Sequence, residues 1–143
     1  MREGFEEISH TADTGIRAWS DTLSGALTMA AKGMFTLILA DPPRSAHRER
    51  ESLRLVAQSP ADLLHALLSE VLFMHAVRRV LPVDCAVTAG EDGAAWRCEA
   101  EIDFTEMTAD VQAQATEIKA VTWHGLMLDF DGTSWKGQVI FDT

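Results

Sequence analysis

Residues 9–16 read SHTADTGI and lie between two short strand patterns, ahead of the first long amphipathic segment. No bulky apolar residue occurs between Ile8 and Ile16, so hydrophobic burial does not explain this stretch. It combines an imidazole, hydroxyls, a carboxylate and a glycine, which could bind a ligand or permit an unusual backbone angle. A polar turn held by side-chain-to-backbone hydrogen bonds explains the same residues without a ligand. On its own, the stretch favours the polar turn.

Two segments further along have the apolar spacing of amphipathic helices. The first covers residues 22–39, follows candidate N-cap residues and ends before the Asp-Pro-Pro sequence at 41–43. The second begins at Ser59 with a cap and a first-turn proline, and extends to about residue 77.

Alternating apolar and polar residues predict strands in most of the remaining chain. The predicted strands are residues 4–9, 14–19 and 53–57, a hairpin over 83–100 that turns at 90–93, a long strand over 117–130, and a final strand over 134–142. Residues 103–116 fit a loop and a short helical turn equally well. The pattern predicts a single α+β domain, residues 1–143, with two amphipathic helices packed on a largely antiparallel or mixed β-sheet.

Composition and charge limit the classes of function. A net charge of −10 and a pI of about 4.8 disfavour unspecific nucleic-acid binding and suit a cation or a basic partner. The N-terminus has no secretory apolar region, and no apolar run reaches the roughly 18 residues of a membrane span. Cys85 and Cys98 form neither a disulfide framework nor a closely spaced metal pair. We therefore expect a cytoplasmic protein with reduced, half-buried thiols and no membrane contact.

The sequence contains none of the common self-sufficient catalytic motifs. It lacks a phosphate-binding glycine loop, a dinucleotide fingerprint, a nucleophile elbow and a His-Glu-x-x-His helix. Their absence favours a binding or activating role over catalysis.

The C-terminal end offers oxygen ligands that could join those of the N-terminal stretch. The final strand runs to Asp142 and Thr143. If strand pairing brings this end beside Asp13, carboxylates converge and repel one another unless a cation binds, and their hard oxygens suit Ca²⁺ or Mg²⁺. Lys119 and His124 lie just upstream. A lysine at a strand edge and a structural histidine are the simpler explanations for them.

Three motifs together resemble the archease family. They are HTAD-x-G at residues 10–15, EIKAVT-x-H at 117–124 and VIFD at 139–142, and residues 63–70 also resemble the family's second helix. The lysine-containing motif combined with the HTAD motif is specific, and the likeness spans nearly the whole chain.

The resemblance implies a small cytoplasmic protein that activates an RtcB-type RNA ligase without being a catalyst itself. Such a protein promotes GTP-dependent guanylylation of the ligase's active-site histidine and permits multiple turnover in tRNA splicing or RNA repair. RNA and GTP are then reached only through the ligase, and no direct sequence-specific nucleic-acid binding is expected.

The resemblance also implies a divalent cation site, typically described with calcium. The matching positions are Asp13, Asp142 and the carbonyl or carboxylate of Thr143. Ca²⁺ is the expected ion, with Mg²⁺ or Mn²⁺ as alternatives. Lys119 matches the family's strand lysine and is expected to make a functional contact, with His10 and His124 as further contacts.

The chain departs from the family pattern at four places. Thr14, Trp123 and Thr143 stand where an apolar residue, a tyrosine, and an isoleucine or valine are usual. Residues 100–115 do not follow the expected pattern, which leaves partner contacts from this region open.

Two other functions fit the residues. One is a small metal-dependent phosphoesterase that uses His10, Asp13 and Asp142. The other is a general chaperone-like interaction module in which the acidic surface and the metal are structural.

Overall fold

The computed structural model describes residues 2–9, 13–44 and 47–143. In chain order its elements are β1 (Glu3–Ser9), β2 (Thr14–Ser20), α1 (Leu23–Ile38), β3 (Arg48–Ala57), α2 (Pro60–Arg78), β4 (Val80–Asp92), β5 (Ala95–Glu106), α3 (Ala109–Gln114), β6 (Ala120–Val121), β7 (Met127–Phe130) and β8 (Trp135–Asp142).

The strands form two separate sheets. One has the order β1-β2-β8-β6, with β7 also paired to β8, and the other has the order β3-β5-β4. Every strand pair among the described residues is antiparallel. The predicted α+β class is confirmed, but the expectation of one sheet is wrong.

The burial pattern of α1 explains why two sheets are needed. Its buried positions cover more than half of its circumference and leave a narrower face at Lys32 and Thr36. They include Leu27, Ala31 and Met34, which are completely inaccessible to solvent. A helix with so wide an apolar face must be covered on more than one side. α1 packs against β1, β2 and β8 of the first sheet and against β4 of the second. It therefore joins the two sheets into one core.

Local capping sets where both long helices begin, as the sequence predicts. The Thr22 hydroxyl accepts the Gly25 backbone N–H at 3.0 Å, and the Ser59 hydroxyl accepts the Asp62 backbone N–H at 3.1 Å. Each hydroxyl satisfies a donor that has no partner in the first turn of its helix.

Contrary to the expectation that no segment is long and apolar enough, α2 has the length and composition of a membrane span. Its apolar side chains have another explanation, because seven of them are buried and the helix packs against β3, β4, β5, β6 and β7. Core helices often have such a composition.

Two side chains of α1 close the edge of the second sheet at β4. The Ser24 hydroxyl accepts the Ala89 backbone N–H at 2.9 Å, and the Thr28 hydroxyl accepts the Val87 backbone N–H at 3.2 Å. Thr28 in turn donates to the Ser24 carbonyl oxygen at 2.8 Å. The helix thus satisfies edge groups that would otherwise be open to pairing with another chain.

The long strand predicted over residues 117–130 is wrong. Only Ala120–Val121 and Met127–Phe130 are strand, and both pair with β8. Between them the chain makes a tight turn, in which Gly125 has a φ of +64° and the Leu126 N–H approaches the Trp123 carbonyl oxygen at 3.4 Å. A left-handed residue favours glycine and breaks a strand.

Residues 103–116 include the short helix that the sequence allowed, but residues 103–106 are strand, which was not predicted. β5 continues to Glu106, and α3 then begins behind Thr108, whose hydroxyl accepts the Val111 N–H at 3.2 Å. The hairpin predicted over 83–100 is present, but its strands are longer than predicted and its turn lies at residues 93–94 rather than 90–93, with Gly93 at a φ of +64°.

Both cysteines are free and buried. Burial raises the pKa of the Cys85 thiol to about 12 and that of Cys98 to about 11. Protonated thiols are poor nucleophiles and poor metal ligands. Neither cysteine therefore belongs to a reactive site.

Candidate functional site

Three strands of the first sheet end at the same place. The pairing of β2 with β8 reaches Thr14 opposite Phe141, and the pairing of β6 with β8 reaches Ala120 opposite Asp142. The Lys119 backbone N–H donates to the Asp142 carbonyl oxygen at 2.7 Å. We call this place the three-strand end and define it by Asp13, Lys119, Asp142 and Thr143.

The strand register brings the segments that carry Asp13 and Asp142 together. The last pair of β2 and β8 is Thr14 with Phe141, and Asp13 directly precedes Thr14 while Asp142 directly follows Phe141. Phe141 is buried in the core, so the Asp142 side chain, next along the strand, projects from the other face of the sheet. Both aspartates are exposed. The pairing thus fulfils the condition on which the predicted cation site depended.

Gly15 allows β2 and β8 to approach closely beside the three-strand end. A Cβ at this position would lie 2.6 Å from the Val139 carbonyl oxygen and 2.7 Å from Cδ1 of Ile140. Both distances are shorter than van der Waals contact, and the carbonyl oxygen belongs to the backbone. The glycine of the N-terminal motif is therefore needed for close strand approach rather than for an unusual φ angle.

The predicted contact residues differ in how the structure places them. Lys119 is exposed, and its ammonium group makes no ion pair with a residue that the structure describes. His124 is also exposed, and its backbone N–H donates to the Thr122 hydroxyl at 3.2 Å. The prediction for His10 lies outside the described residues.

The turn between β6 and β7 presents an aromatic pair next to the three-strand end. The Trp123 side chain stacks on the His65 ring of α2, with 3.6 Å between ring centroids and 9° between planes, yet the residue is 62% exposed. His65 Nε2 lies 3.0 Å from the Val121 carbonyl oxygen, so Nε2 is the protonated atom that donates. Sequence reasoning missed this pair, because the contact depends on how α2 packs against the turn.

The donor set at the three-strand end fits a hard cation only in part. Asp13 and Asp142 supply carboxylate oxygens, and Thr143 adds a backbone oxygen, all of which suit Ca²⁺, Mg²⁺ or Mn²⁺. Within ranges 2–9, 13–44 and 47–143, however, no three His, Cys, Asp or Glu side chains form a metal-binding group. The structure does not by itself support the cation, which stays a prediction.

Comparison with known proteins identifies the family. A model described as the archease protein family (MTH1598/TM1083) matches residues 5–143. The chain belongs to the archease family. It is 31% identical over 142 residues to the protein archease of Methanopyrus kandleri, covering 96% of this chain and 98% of that protein. It is also 31% identical over 139 residues to that of Methanosarcina mazei, covering 96% and 94%.

Solved structures of the family share the fold. Protein 1598 of Methanobacterium thermoautotrophicum superposes with a TM-score of 0.84 at 26% identity, over 98% of this chain and 99% of that chain. An archease from Thermotoga maritima, titled a possible chaperone, superposes with a TM-score of 0.58 at 19% identity, over 100% and 98%. The resemblance drawn from the three motifs is therefore confirmed.

Proposed function

We propose that this archease activates an RtcB-type RNA ligase and does not catalyse a reaction itself. It promotes GTP-dependent guanylylation of the ligase's active-site histidine and lets each ligase molecule turn over repeatedly in tRNA splicing or RNA repair. Membership of the archease family supports the general assignment. The same proposal places the protein in the cytoplasm, away from membranes, and in ligation RNA and GTP are handled by the ligase.

One observation links the proposed function to particular residues. The N-terminal motif and the two C-terminal motifs are far apart in sequence, but the register of β2, β8 and β6 brings Asp13, Asp142 and Lys119 to the same end of one sheet. Packing alone does not require exposed charged residues to gather there. A surface that activates the ligase needs charged residues close together, because guanylylation brings a triphosphate and metal ions to one histidine.

We assign the cation to Asp13, Asp142 and the carbonyl or terminal carboxylate of Thr143, with Ca²⁺ first and Mg²⁺ or Mn²⁺ as alternatives. When bound, it would supply positive charge that offsets the repulsion of the carboxylates and attracts phosphate oxygens. Calorimetric titration of Ca²⁺ into the protein and into an Asp13→Asn variant measures this directly. We expect Ca²⁺ to bind to the wild type only. Equal heats of Ca²⁺ binding to both proteins would contradict the assignment of the cation to these residues.

Lys119 is the residue that we assign to contact a phosphate or a ligase carboxylate. Its ammonium group is exposed and has no carboxylate partner among the described residues, so it is available to another molecule. We propose His10 and His124 as further contacts of the same surface.

The experiment that tests the function is RNA ligation by a cognate RtcB-type ligase, with ligase limiting and GTP present. We expect added protein to raise both the number of turnovers and the fraction of guanylylated ligase. No change with a competent ligase would contradict the proposal. Hydrolysis of a phosphodiester by the protein alone would favour the phosphoesterase instead, and activation of many unrelated enzymes would favour a chaperone-like module.

A further inference from the structure

A surface cavity of about 450 Å³ lies where α2 ends, next to the segment that leads into β6. Its lining includes His75, Arg79, Thr116, Glu117 and Lys119. This volume is in the range of small-ligand sites. The cavity has two permanently positive side chains and one carboxylate, although the whole chain has a net charge of −10.

Arg79 occupies a backbone position that favours glycine. Its φ of 55° and ψ of 50° are left-handed, and within the described part of the chain it is the one residue other than glycine with a positive φ. Helices commonly end in this conformation, but usually at glycine, because a Cβ is strained there. An arginine in this place suggests that its side chain is needed.

The guanidinium of Arg79 is held in place but not neutralised. Its Nη2 donates to Oε1 of Gln112 at 3.0 Å, and no carboxylate in the described ranges pairs with it. Seven of the chain's 12 lysines and arginines do form such pairs, namely Arg17, Lys32, Arg50, Arg54, Arg78, Arg97 and Lys136. With 22 acidic residues in the chain, it is notable that Arg79 and Lys119 share one cavity and have no such partner.

His75 adds a ring nitrogen that can accept a hydrogen bond. Its Nδ1 lies 2.7 Å from the Val80 carbonyl oxygen, and since a carbonyl only accepts, Nδ1 must carry the proton. In the neutral ring Nε2 is then unprotonated, so it can accept a hydrogen bond from a hydroxyl of a ligand. The Thr116 hydroxyl also belongs to the lining.

We propose that this cavity binds a phosphate group, as in a free nucleotide or at the end of an RNA strand. Arg79 and Lys119 supply the charge, with Arg79 presenting its planar donor fork, and His75 and Thr116 supply further hydrogen bonds. Glu117 opposes the ligand and limits its affinity. The site goes beyond ligase activation, because binding requires only this chain.

The test titrates the protein alone with pyrophosphate, GTP and a short RNA that bears a 3′-phosphate, using calorimetry. Saturable binding of pyrophosphate and GTP identifies a free-nucleotide site, whereas binding of the RNA alone identifies a strand-end site, and either supports the proposal. Absence of binding for all three probes at millimolar concentration overturns it. Because no ligase is present, a failure here leaves the ligase proposal standing.

The variants separate the cavity from general charge effects. Arg79→Gly removes the guanidinium while relaxing the left-handed backbone, so we expect about tenfold weaker binding with an unchanged or higher melting temperature. Lys119→Gln should weaken binding similarly, and Glu117→Gln should tighten it. Arg48→Gln is the matched control, because Arg48 is exposed on β3 and does not line the cavity. If Arg79→Gly and Lys119→Gln bind as tightly as Arg48→Gln, the cavity is not the site.

Discussion

Replacing Gly15 by alanine tests whether close approach of β2 and β8 sets the geometry of the three-strand end. The new Cβ would lie 2.6 Å from the Val139 carbonyl oxygen and 2.7 Å from Cδ1 of Ile140. The Ile140 methyl can rotate away, but the carbonyl belongs to the sheet and the strands must separate. Such overpacking costs about 1–3 kcal/mol, and the reduced freedom of the unfolded chain returns about 0.4–1 kcal/mol.

We therefore expect Gly15→Ala to lower the free energy of unfolding by about 1–2 kcal/mol. Urea denaturation followed by tryptophan fluorescence measures this change. Gly90→Ala is the matched control, because Gly90 also lies in a strand and a Cβ there meets nothing within 4 Å. The control should change stability by less than about 0.5 kcal/mol. If the two variants are equally stable, the argument from strand approach is refuted.

Three further predictions concern other parts of the fold. Thr28→Val removes the hydroxyl that accepts the backbone N–H of an edge strand, so it should lower the free energy of unfolding in urea by about 1–3 kcal/mol. Thr36→Val loses only a hydrogen bond within its own helix and should change this free energy little. Burial raises the pKa of Cys85, so the unfolded chain releases this proton at a lower pH than the folded chain does. The free energy of unfolding should therefore fall above about pH 9. By pH 10.5, Cys85→Ala should have lost about 2 kcal/mol less of it than wild type. The backbone N–H groups of the turn and the Lys136 ammonium lower the pKa of Asp131, so wild type should lose stability relative to Asp131→Asn as the pH falls from about 5 to 2 in acid titrations.

The helices could be predicted because their signals are local. Thr22 and Ser59 cap their own first turns, and the apolar spacing of each helix is visible within the segment. The strands of the hairpin were predicted for the same reason.

The arrangement around β8 could not be predicted because it depends on distant residues. The Gln138 side-chain amide donates to the Gly125 carbonyl oxygen at 2.9 Å, and the Thr122 hydroxyl donates to the Ile140 carbonyl oxygen at 2.9 Å. These bonds fix a turn inside what an alternation pattern marks as one strand. A short apolar run looks the same in the sequence whether it forms one continuous strand or two strands separated by a turn.

The site was predicted in outline only. The chemistry of the two ends suggested a site at Asp13 and Asp142 if their strands met, and the register shows that β2 and β8 do pair up to Thr14 and Phe141. The unpaired Arg79 and the stacking of Trp123 on His65 left no pattern in the sequence, since each depends on where α2 ends or which side of it meets the turn. Cation binding at the three-strand end is still to be measured.

The measurement that tests the central claim most directly is the rate of ligase guanylylation with GTP, in the presence of wild-type protein, Asp142→Asn or Asp129→Asn. Asp129 is an exposed aspartate on β7 of the same sheet, opposite Lys136 and away from the three-strand end. We predict that Asp142→Asn loses the stimulation, while Asp129→Asn, with the same change of charge, stimulates the ligase like wild type. Full stimulation by Asp142→Asn would contradict the account.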